Sequence, residues 1–480
     1  MSARATTLGE LKQSGWQSVP VKDEVRRNLA ARIGARRPLV DGVQGFDDTV
    51  LPQLENALIA GHDVILLGER GQAKTRIIRG LTNLLDEWMP ILAGSEINDD
   101  PYDPVSAHGR AIVRDSGAET PIDWVHRDNR FGEKLATPDT SIADLIGEVD
   151  PIKVAEGRYL SDELTLHYGL VPRSNRGIFA VNELPDLAER IQVGLLNVLE
   201  ERDVQIRGHK VRLPLDILLV ATANPEDYTN RGRIITPLKD RFGAQVRTHY
   251  PLDVATELVI VRQEARVASM TGDKGELRVH VPDYMAEIIA TITHEARRSP
   301  QVNQRSGVSV RLSIANYETI VANATRRALR LGERDVVPRV SDLEALAAST
   351  AGKVEIEAFE EGRADSVLDR LVRSAVLAVF RDRCPIDRLG SVVGDFEEGV
   401  VAQVGEGAPA AVYVDLLARV PSLRQAISPL VAGESPAELA AAVELVLEGL
   451  HLSRRLNKDR ASAAGGGGGT LGSAATYRGR

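Results

Sequence analysis

Eight consecutive residues have the types and spacing needed to bind phosphate: Gly68, Glu69, Arg70, Gly71, Gln72, Ala73, Lys74 and Thr75. An apolar run, Val64–Leu67, precedes them, and apolar residues recur at helical spacing over 76–85. A strand, a glycine loop and Lys-Thr at a helix start form a phosphate-binding loop, whose backbone N–H groups face the anion. The pattern predicts that Lys74 contacts the β- and γ-phosphates of a nucleotide and that Thr75 offers its hydroxyl to Mg²⁺.

One position in this loop departs from the usual pattern, because Ala73 precedes the lysine where glycine is normal. Only a positive φ strictly favours glycine, so a methyl group is tolerable at negative φ. We therefore expect Ala73 to have a negative φ.

A second buried strand is predicted over 177–181, and it ends at Asn182 and Glu183. In a nucleotide site, a carboxylate at the position of Glu183 polarises the attacking water, and the residue before it supports the hydration shell of Mg²⁺. Asn182 can accept a hydrogen bond from a metal-bound water but contributes no negative charge. The sequence therefore predicts a metal site at Thr75 and Asn182 with a lowered affinity for Mg²⁺.

A third buried strand is predicted over 217–223, and it ends at Asn224. In a doubly wound sheet the carboxyl ends of central strands face the ligand. This places the Asn224 amide beside the γ-phosphate.

Composition bounds the remaining possibilities. A chain of 480 residues is too long for one core, and its formal charge of −9 argues against a general nucleic-acid binder. The single cysteine, Cys384, excludes a disulfide framework and a thiolate zinc cluster. With no signal-peptide core and no apolar run of membrane-spanning length, we expect a cytoplasmic protein.

The pattern of elements predicts five regions. They are an N-terminal helical lead-in (1–38), a nucleotide-binding α/β domain (39–251, with an insert at about 131–176 and a hairpin at about 203–213), a helical lid domain (252–350), a C-terminal helical extension (351–460) and a disordered glycine-rich tail (461–480). The polar section 94–130 reads as an insertion or surface loops without assigned chemistry. The hairpin tip is basic, and an acidic chain favours a solvated cluster or a protein-contacting loop there over nucleic-acid contact.

Together these motifs resemble the AAA+ ATPases that carry a helix-2 insert. They are similar to the ATPase (I-type) subunits of magnesium chelatase and to MoxR-type ATPases. The stretches 136–139 and 145–150 favour the chelatase side, as does the run 175–178 that leads into the second strand.

The resemblance implies an α/β fold: a P-loop core with a parallel sheet, followed by a helical lid and a further helical region. It implies ATP and Mg²⁺ as ligands, Asn224 as the first sensor of the γ-phosphate, Arg241 as an arginine finger for a neighbouring subunit, and Arg311 as the second sensor. It also implies self-assembly into a ring, typically six-membered, and a partner with a von Willebrand A domain.

Several readings of function stay open at this point. The leading one is a ring ATPase that remodels a partner protein, as in magnesium chelatase. The alternatives are a MoxR-like chaperone, a nucleic-acid motor, and a nucleotide-controlled scaffold that hardly hydrolyses ATP. A bacterial enhancer-binding activator is disfavoured, because the chain lacks a Gly-Ala-Phe-Thr-Gly-Ala loop.

Overall fold

A computed structural model describes residues 4–149, 166–200, 203–206, 209–224, 233–273, 275–304, 306–357, 364–385, 389–460 and 474–480. The chain divides into two compact units, Met1–His249 and Tyr250–Arg480. Each unit is described in turn.

The first unit contains the following elements in chain order: α1 Leu8–Gln13, α2 Val21–Gly34, α3 Val50–Ile59, β1 Val64–Leu67, α4 Lys74–Gly80, β2 Trp88–Leu92, α5 Ala107–Ser116, β3 Ile122–His126, β4 Phe131–Leu135, α6 Ile142–Leu145, β5 Gly147–Val149, β6 Leu166–Tyr168, α7 Leu170–Arg173, β7 Gly177–Asn182, α8 Glu189–Glu200, β8 Asp203–Ile206, β9 His209–Arg212, β10 Ile217–Ala223, α9 Thr236–Arg241 and β11 Ala244–Arg247.

Five of these strands form a parallel sheet in the order β11-β1-β10-β7-β4. The three predicted apolar strands occupy its centre, where both faces of a strand are buried and a continuous apolar run is needed. Every residue of β7 and β10 is buried. The predicted P-loop α/β core with a parallel sheet is confirmed.

The two faces of the sheet carry separate hydrophobic cores. On one face, alternate strand residues such as Leu66 and Ala180 pack with apolar residues of α2, α3 and α4. On the other face, Phe179 and Leu219 pack with α8 and with the residues around α6 and α7. The sheet is therefore covered on both sides, as a parallel sheet requires.

The first unit corrects the predicted insert at one end. Phe131–Leu135 is not part of an insertion but is the edge strand β4, paired in parallel with β7. Its sequence, Phe-Gly-Glu-Lys-Leu, mixes polar and apolar residues because an edge strand has a partner on one side only. The segment 131–135 lacks the continuous apolar run that predicts a buried strand.

The polar section 94–130 is also more ordered than its composition suggests. It contains α5 and β3, and β3 pairs antiparallel with β2. Leu8 and Leu11 of α1 pack on this pair against Leu92 and Ile122. The predicted hairpin is present, with Asp203 opposite Arg212.

The second unit is mostly helical. Its elements are α10 Val254–Glu264, β12 Thr271–Gly272, β13 Gly275–Glu276, β14 Arg278–Val279, α11 Asp283–Arg298, α12 Arg311–Leu331, β15 Asp335–Val336, α13 Leu346–Thr350, α14 Ala364–Arg383, α15 Gly390–Glu397, β16 Val401–Val404, α16 Ala410–Arg419, α17 Pro421–Ile427, α18 Pro436–Leu452, β17 Asn457–Arg460 and β18 Ala475–Arg478.

One hydrophobic core spans the predicted division at residue 350, since Ile288 and Leu346 belong to the same cluster as Val376 and Leu445.

The prediction that residues 461–480 form a disordered tail is wrong at the C-terminal end. Ala475–Arg478 forms β18, the central strand of a sheet with β16 and β17. Two side chains of β18, those of Ala475 and Tyr477, are buried in this core. The five consecutive glycines at 465–469 lie outside the described residues.

Within the part of the chain that the structure describes, every helix is too short or too polar to cross a bilayer.

Candidate nucleotide-binding site

The glycine loop lies between β1 and α4, at the carboxyl end of the sheet. Gly68 N–H donates to the carbonyl oxygen of Ala223 at 3.1 Å, which ties the loop to β10. A Cβ atom on Gly68 would lie 1.9 Å from Thr248 Oγ1, so only glycine fits at this position. The side chain of Gln72 accepts hydrogen bonds from Thr248 Oγ1 at 2.7 Å and from Glu69 N–H at 3.1 Å. The loop is therefore held in shape by its own backbone and by the residue after β11.

Ala73 corrects the expectation from sequence. Its φ is +57° and its ψ is 11°, so it lies in the left-handed region, not at negative φ. In this region the Cβ atom of Ala73 lies too close to the following carbonyl oxygen, and this costs about 1–2 kcal/mol of conformational free energy. The strain is tolerated because the residue before Lys74 must reverse the chain into α4.

Lys74 is the first residue of α4 and is buried. Its Nζ donates to the carbonyl oxygens of Gly68 and of Glu69, the latter at 2.8 Å. The ammonium group is thus held inside the curve of the loop, where a phosphate group would approach. Thr75 follows on the same helix and is exposed, so its hydroxyl is accessible to a ligand.

Three strand ends meet beside this loop. Leu67 pairs with Ala223, and Val181 pairs with Ala221. Because the strands are parallel, the residues that follow them leave the sheet at the same edge. The structure therefore brings the glycine loop, the Asn182-Glu183 pair and Asn224 together, as predicted.

Glu183 is the second non-glycine residue at this edge with a left-handed backbone, with φ +54° and ψ 49°. Its N–H donates to Thr222 Oγ1 at 3.0 Å, and that bond holds the turn after β7. Strained backbone of this kind concentrates at functional sites, where surrounding structure over-determines it. Asn224 is buried at the end of β10.

Sequence reasoning missed one carboxylate beside this site. Glu133, on the edge strand β4, accepts a hydrogen bond from Asn182 Nδ2 at 2.6 Å. It also accepts from Arg79 of α4, at 2.8 Å from Nε and 3.2 Å from Nη2. This hydrogen bond raises the pKa of Arg79. A single glutamate in a polar edge strand gives no motif, so only the strand order reveals it.

The donor set suits a magnesium nucleotide. A backbone cradle and a lysine suit phosphate, and a hydroxyl with an amide and a carboxylate suits a hard cation that keeps several waters. Among the described residues, no group of three or more His, Cys, Asp and Glu side chains forms a separate metal site.

The two predicted arginines are placed differently. Arg241 is the last residue of α9 and is exposed. Arg311 is the first residue of α12, in the second unit, and is also exposed. Their roles toward a nucleotide stay predictions. The hairpin side chains, including the basic tip, lie outside the described residues.

Comparison with known proteins agrees with this geometry. The sequence model of the family described as "Sigma-54 interaction domain" matches residues 156–241, which include Glu183, Asn224 and Arg241. The magnesium-chelatase subunit ChlI of Anabaena variabilis is 30% identical over 207 residues, which cover 42% of this chain and 57% of that protein. Over these residues the chain is similar to known AAA+ ATPases.

A second relative extends the AAA+ match. The subunit ChlI of Nephroselmis olivacea is 26% identical over 302 residues, covering 58% of this chain and 78% of that protein. This chain spans about half the length of the first curated relatives it matches, at 57%, 51% and 55%. The predicted resemblance to the magnesium chelatase ATPase subunits is confirmed.

Solved structures with similarity to this chain are more distant. One is the complex between subunits BchI and BchD of magnesium chelatase, with a TM-score of 0.35, 19% identity and coverage of 69% of this chain and 98% of that chain. Another is a putative ATPase from Cytophaga hutchinsonii, with a TM-score of 0.30, 17% identity and coverage of 76% and 98%.

Proposed function

We propose that this chain binds MgATP at the glycine loop and hydrolyses it, and that it uses the cycle to remodel a partner protein. The observation that supports this most is the meeting of three strand ends: the loop after β1, Asn182-Glu183 after β7, and Asn224 after β10. Each contributes a different chemical group at one edge of the sheet.

Each group has a distinct part in the proposed reaction. Lys74 and the loop N–H groups bind the phosphates, and Thr75 with Asn182 would hold Mg²⁺ and its waters. The bound ion would offset charge on the phosphate oxygens. Glu183 would accept a proton from the attacking water, and Asn224 would orient that water by hydrogen bonding.

The partner and assembly belong to the same proposal. Similarity to the chelatase ATPase subunits supports a ring in which Arg241 acts on the nucleotide of the next subunit. A von Willebrand A-domain protein is the proposed partner, either in a chelatase or in a MoxR-like chaperone system. The cytoplasmic location expected from the sequence belongs with these proposals. Asn182 keeps a slow, nucleotide-controlled scaffold as the second candidate, because an amide lacks the usual charge.

Nucleotide binding and turnover are tested separately. A fluorescent ATP analogue should bind the wild-type chain, and Lys74→Ala should abolish binding because the point charge on the phosphates is lost. Glu183→Gln should bind with unchanged affinity but release phosphate at least about 100-fold more slowly. Full turnover in Glu183→Gln would show that another group activates the water. Binding without turnover in the wild type would favour the scaffold.

A further inference from the structure

The side chain of Glu133 reaches the second nucleotide motif because of the register of β4 on β7. Leu135 pairs with Asn182 in parallel. Side chains alternate along a strand, so Glu133, two residues before Leu135, lies on the same face of the sheet as Asn182. This is also the face that packs on α4, the helix of the glycine loop.

The register is held at both ends of β4. Before the strand, the buried Arg130 forms hydrogen bonds with both carboxylate oxygens of Glu24, at 2.8 and 2.6 Å, and its Nε donates to the carbonyl oxygen of Arg176 at 2.9 Å. After the strand, Ala136 N–H donates to the carbonyl oxygen of Asn182 at 2.8 Å. A slip of β4 relative to β7 would break these bonds, so the position of Glu133 is well determined.

The contact between Asn182 and Glu133 decides which way the amide points. A carboxylate can only accept, so the NH₂ group of Asn182 must face Glu133. Its carbonyl oxygen, Oδ1, is then directed to the other side, where Thr222 Oγ1 lies 3.4 Å away. Asn182 is 8% exposed, and its oxygen lies on the side of the amide away from Glu133.

A carboxylate bound to the NH₂ group also changes the amide oxygen. Hydrogen bonds in sequence polarise one another, and the effect is stronger away from bulk water. Negative charge at Nδ2 raises the electron density on Oδ1 and makes it a better acceptor for a metal-bound water. Metal-binding histidines are tuned by outer carboxylates in the same way.

Arg79 fixes the carboxylate from the other side. It lies four residues after Thr75 on α4, so the two side chains share one face of the helix. The ion pair between Arg79 and Glu133 therefore holds the carboxylate about one helical turn from the hydroxyl proposed for Mg²⁺.

From these contacts we propose that Glu133 is a positioning residue for the magnesium side of the nucleotide site. It orients the Asn182 amide and supplies, through it, the negative charge that a carboxylate at position 182 would have carried. The negative charge near Mg²⁺ would thus come from Glu133 on β4, and the metal-facing oxygen from Asn182 at the end of β7. This inference rests on the proposed function, because it assumes that MgATP binds at this edge.

The test measures magnesium dependence of binding, without turnover. A fluorescent ATP analogue is titrated with free Mg²⁺ for the wild type, Glu133→Gln, Arg79→Gln and the exchange variant Asn182→Asp/Glu133→Gln. Glu133→Gln should raise the Mg²⁺ midpoint about 10-fold, the usual scale for loss of an outer partner. Nucleotide affinity in EDTA should stay unchanged, since the glycine loop is intact.

The other two variants separate a charge effect from a structural one. Arg79→Gln removes the same ion pair but keeps the carboxylate and its charge beside Asn182, so its midpoint should rise less than that of Glu133→Gln. The exchange variant Asn182→Asp/Glu133→Gln returns the negative charge to position 182, so its Mg²⁺ midpoint should lie within about 3-fold of the wild-type value. If Glu133→Gln alone does not fold, the exchange variant is used to test the inference.

An unchanged midpoint in Glu133→Gln, or an equal rise in Arg79→Gln, would overturn this inference and leave the proposed function standing. Absence of magnesium-dependent nucleotide binding in the wild type would overturn both.

Discussion

Asn182 Nδ2 lies 2.6 Å from Glu133 Oε1, so the amide of the second nucleotide motif is bound to a carboxylate from the neighbouring strand. This contact explains why an amide is compatible with position 182. A carboxylate in its place would face Glu133 at close range.

The contact predicts that Asn182→Asp alone is destabilising. Two carboxylates in one site cannot both ionise freely, and the pKa of one is raised. A raised pKa in the folded state means that the variant loses stability as pH rises through that pKa. We expect its free energy of unfolding to fall by about 1 kcal/mol more at pH 8 than at pH 5, relative to wild type.

Urea unfolding at both pH values measures this difference. Adding Glu133→Gln to Asn182→Asp should remove it, because only one carboxylate remains. Equal losses at pH 5 and pH 8 would show that the two side chains do not meet.

The left-handed backbone of Ala73 predicts an unusual response to glycine. Ala73→Gly should raise the free energy of unfolding by about 0.5 kcal/mol, because relief of strain at φ +57° exceeds the entropy that glycine adds to the unfolded chain. Ala60 is the matched control, since it is exposed and has φ −71°. Ala60→Gly should lower stability by about 0.5–1 kcal/mol. Urea unfolding measures both variants, and an equal loss of unfolding free energy in Ala73→Gly and Ala60→Gly would contradict the left-handed backbone of Ala73.

A buried carboxylate in the second unit predicts acid sensitivity. Glu257 is 0% exposed and lies 2.6 Å from Arg297 Nη1, 3.0 Å from His294 Nε2 and 2.5 Å from Ser313 Oγ. Burial by itself would raise the pKa of Glu257, but the hydrogen bonds from His294, Arg297 and Ser313 and the charge of Arg297 outweigh it and lower that pKa below 4.5. A lowered pKa stabilises the fold above the unfolded-state value, and this stability is lost as pH falls through the folded-state pKa.

Glu257→Gln should therefore destabilise by about 3–5 kcal/mol at pH 7, because it leaves Arg297, whose side chain is only 12% exposed, without its carboxylate. The difference from wild type should shrink below pH 4.5. Glu276→Gln, at an exposed position, is the control and should change stability by less than about 0.5 kcal/mol. Thermal unfolding at pH 3.5 and pH 7 checks this, and a difference independent of pH would contradict the proposed ionisation.

The exposure of Arg241 predicts that its role needs a second subunit. Arg241→Ala should bind ATP and hydrolyse it poorly, since a finger acts on the nucleotide of a neighbour. A head-to-tail interface that closes forms a ring, so ATP should promote oligomers. Mixing Arg241→Ala with Lys74→Ala should return part of the activity, because an intact loop then meets an intact arginine. Co-assembly without recovery would count against action in trans.

The amino-acid sequence by itself determined the centre of this protein. The runs 64–67, 177–181 and 217–223 are free of polar residues apart from Thr222, because central strands of a parallel sheet are buried on both faces. Residues that end such strands must meet at one edge, so Lys74 and Glu183 could be assigned from order and spacing alone. The helical character predicted for 252–350 likewise agrees with α11 and α12, whose buried residues recur at helical spacing.

Only the tertiary structure decided the rest. The strand β4 has mixed polarity, and its membership in the sheet depends on hydrogen bonds to β7 and on the distant Arg130–Glu24 pair. The strand β18 follows a glycine-rich run and is ordered by pairing with β16 and β17. Such pairings join residues that are far apart in the chain, so they cannot be predicted from local sequence patterns. The carboxylate that faces Asn182 was therefore visible only once the strands were placed side by side.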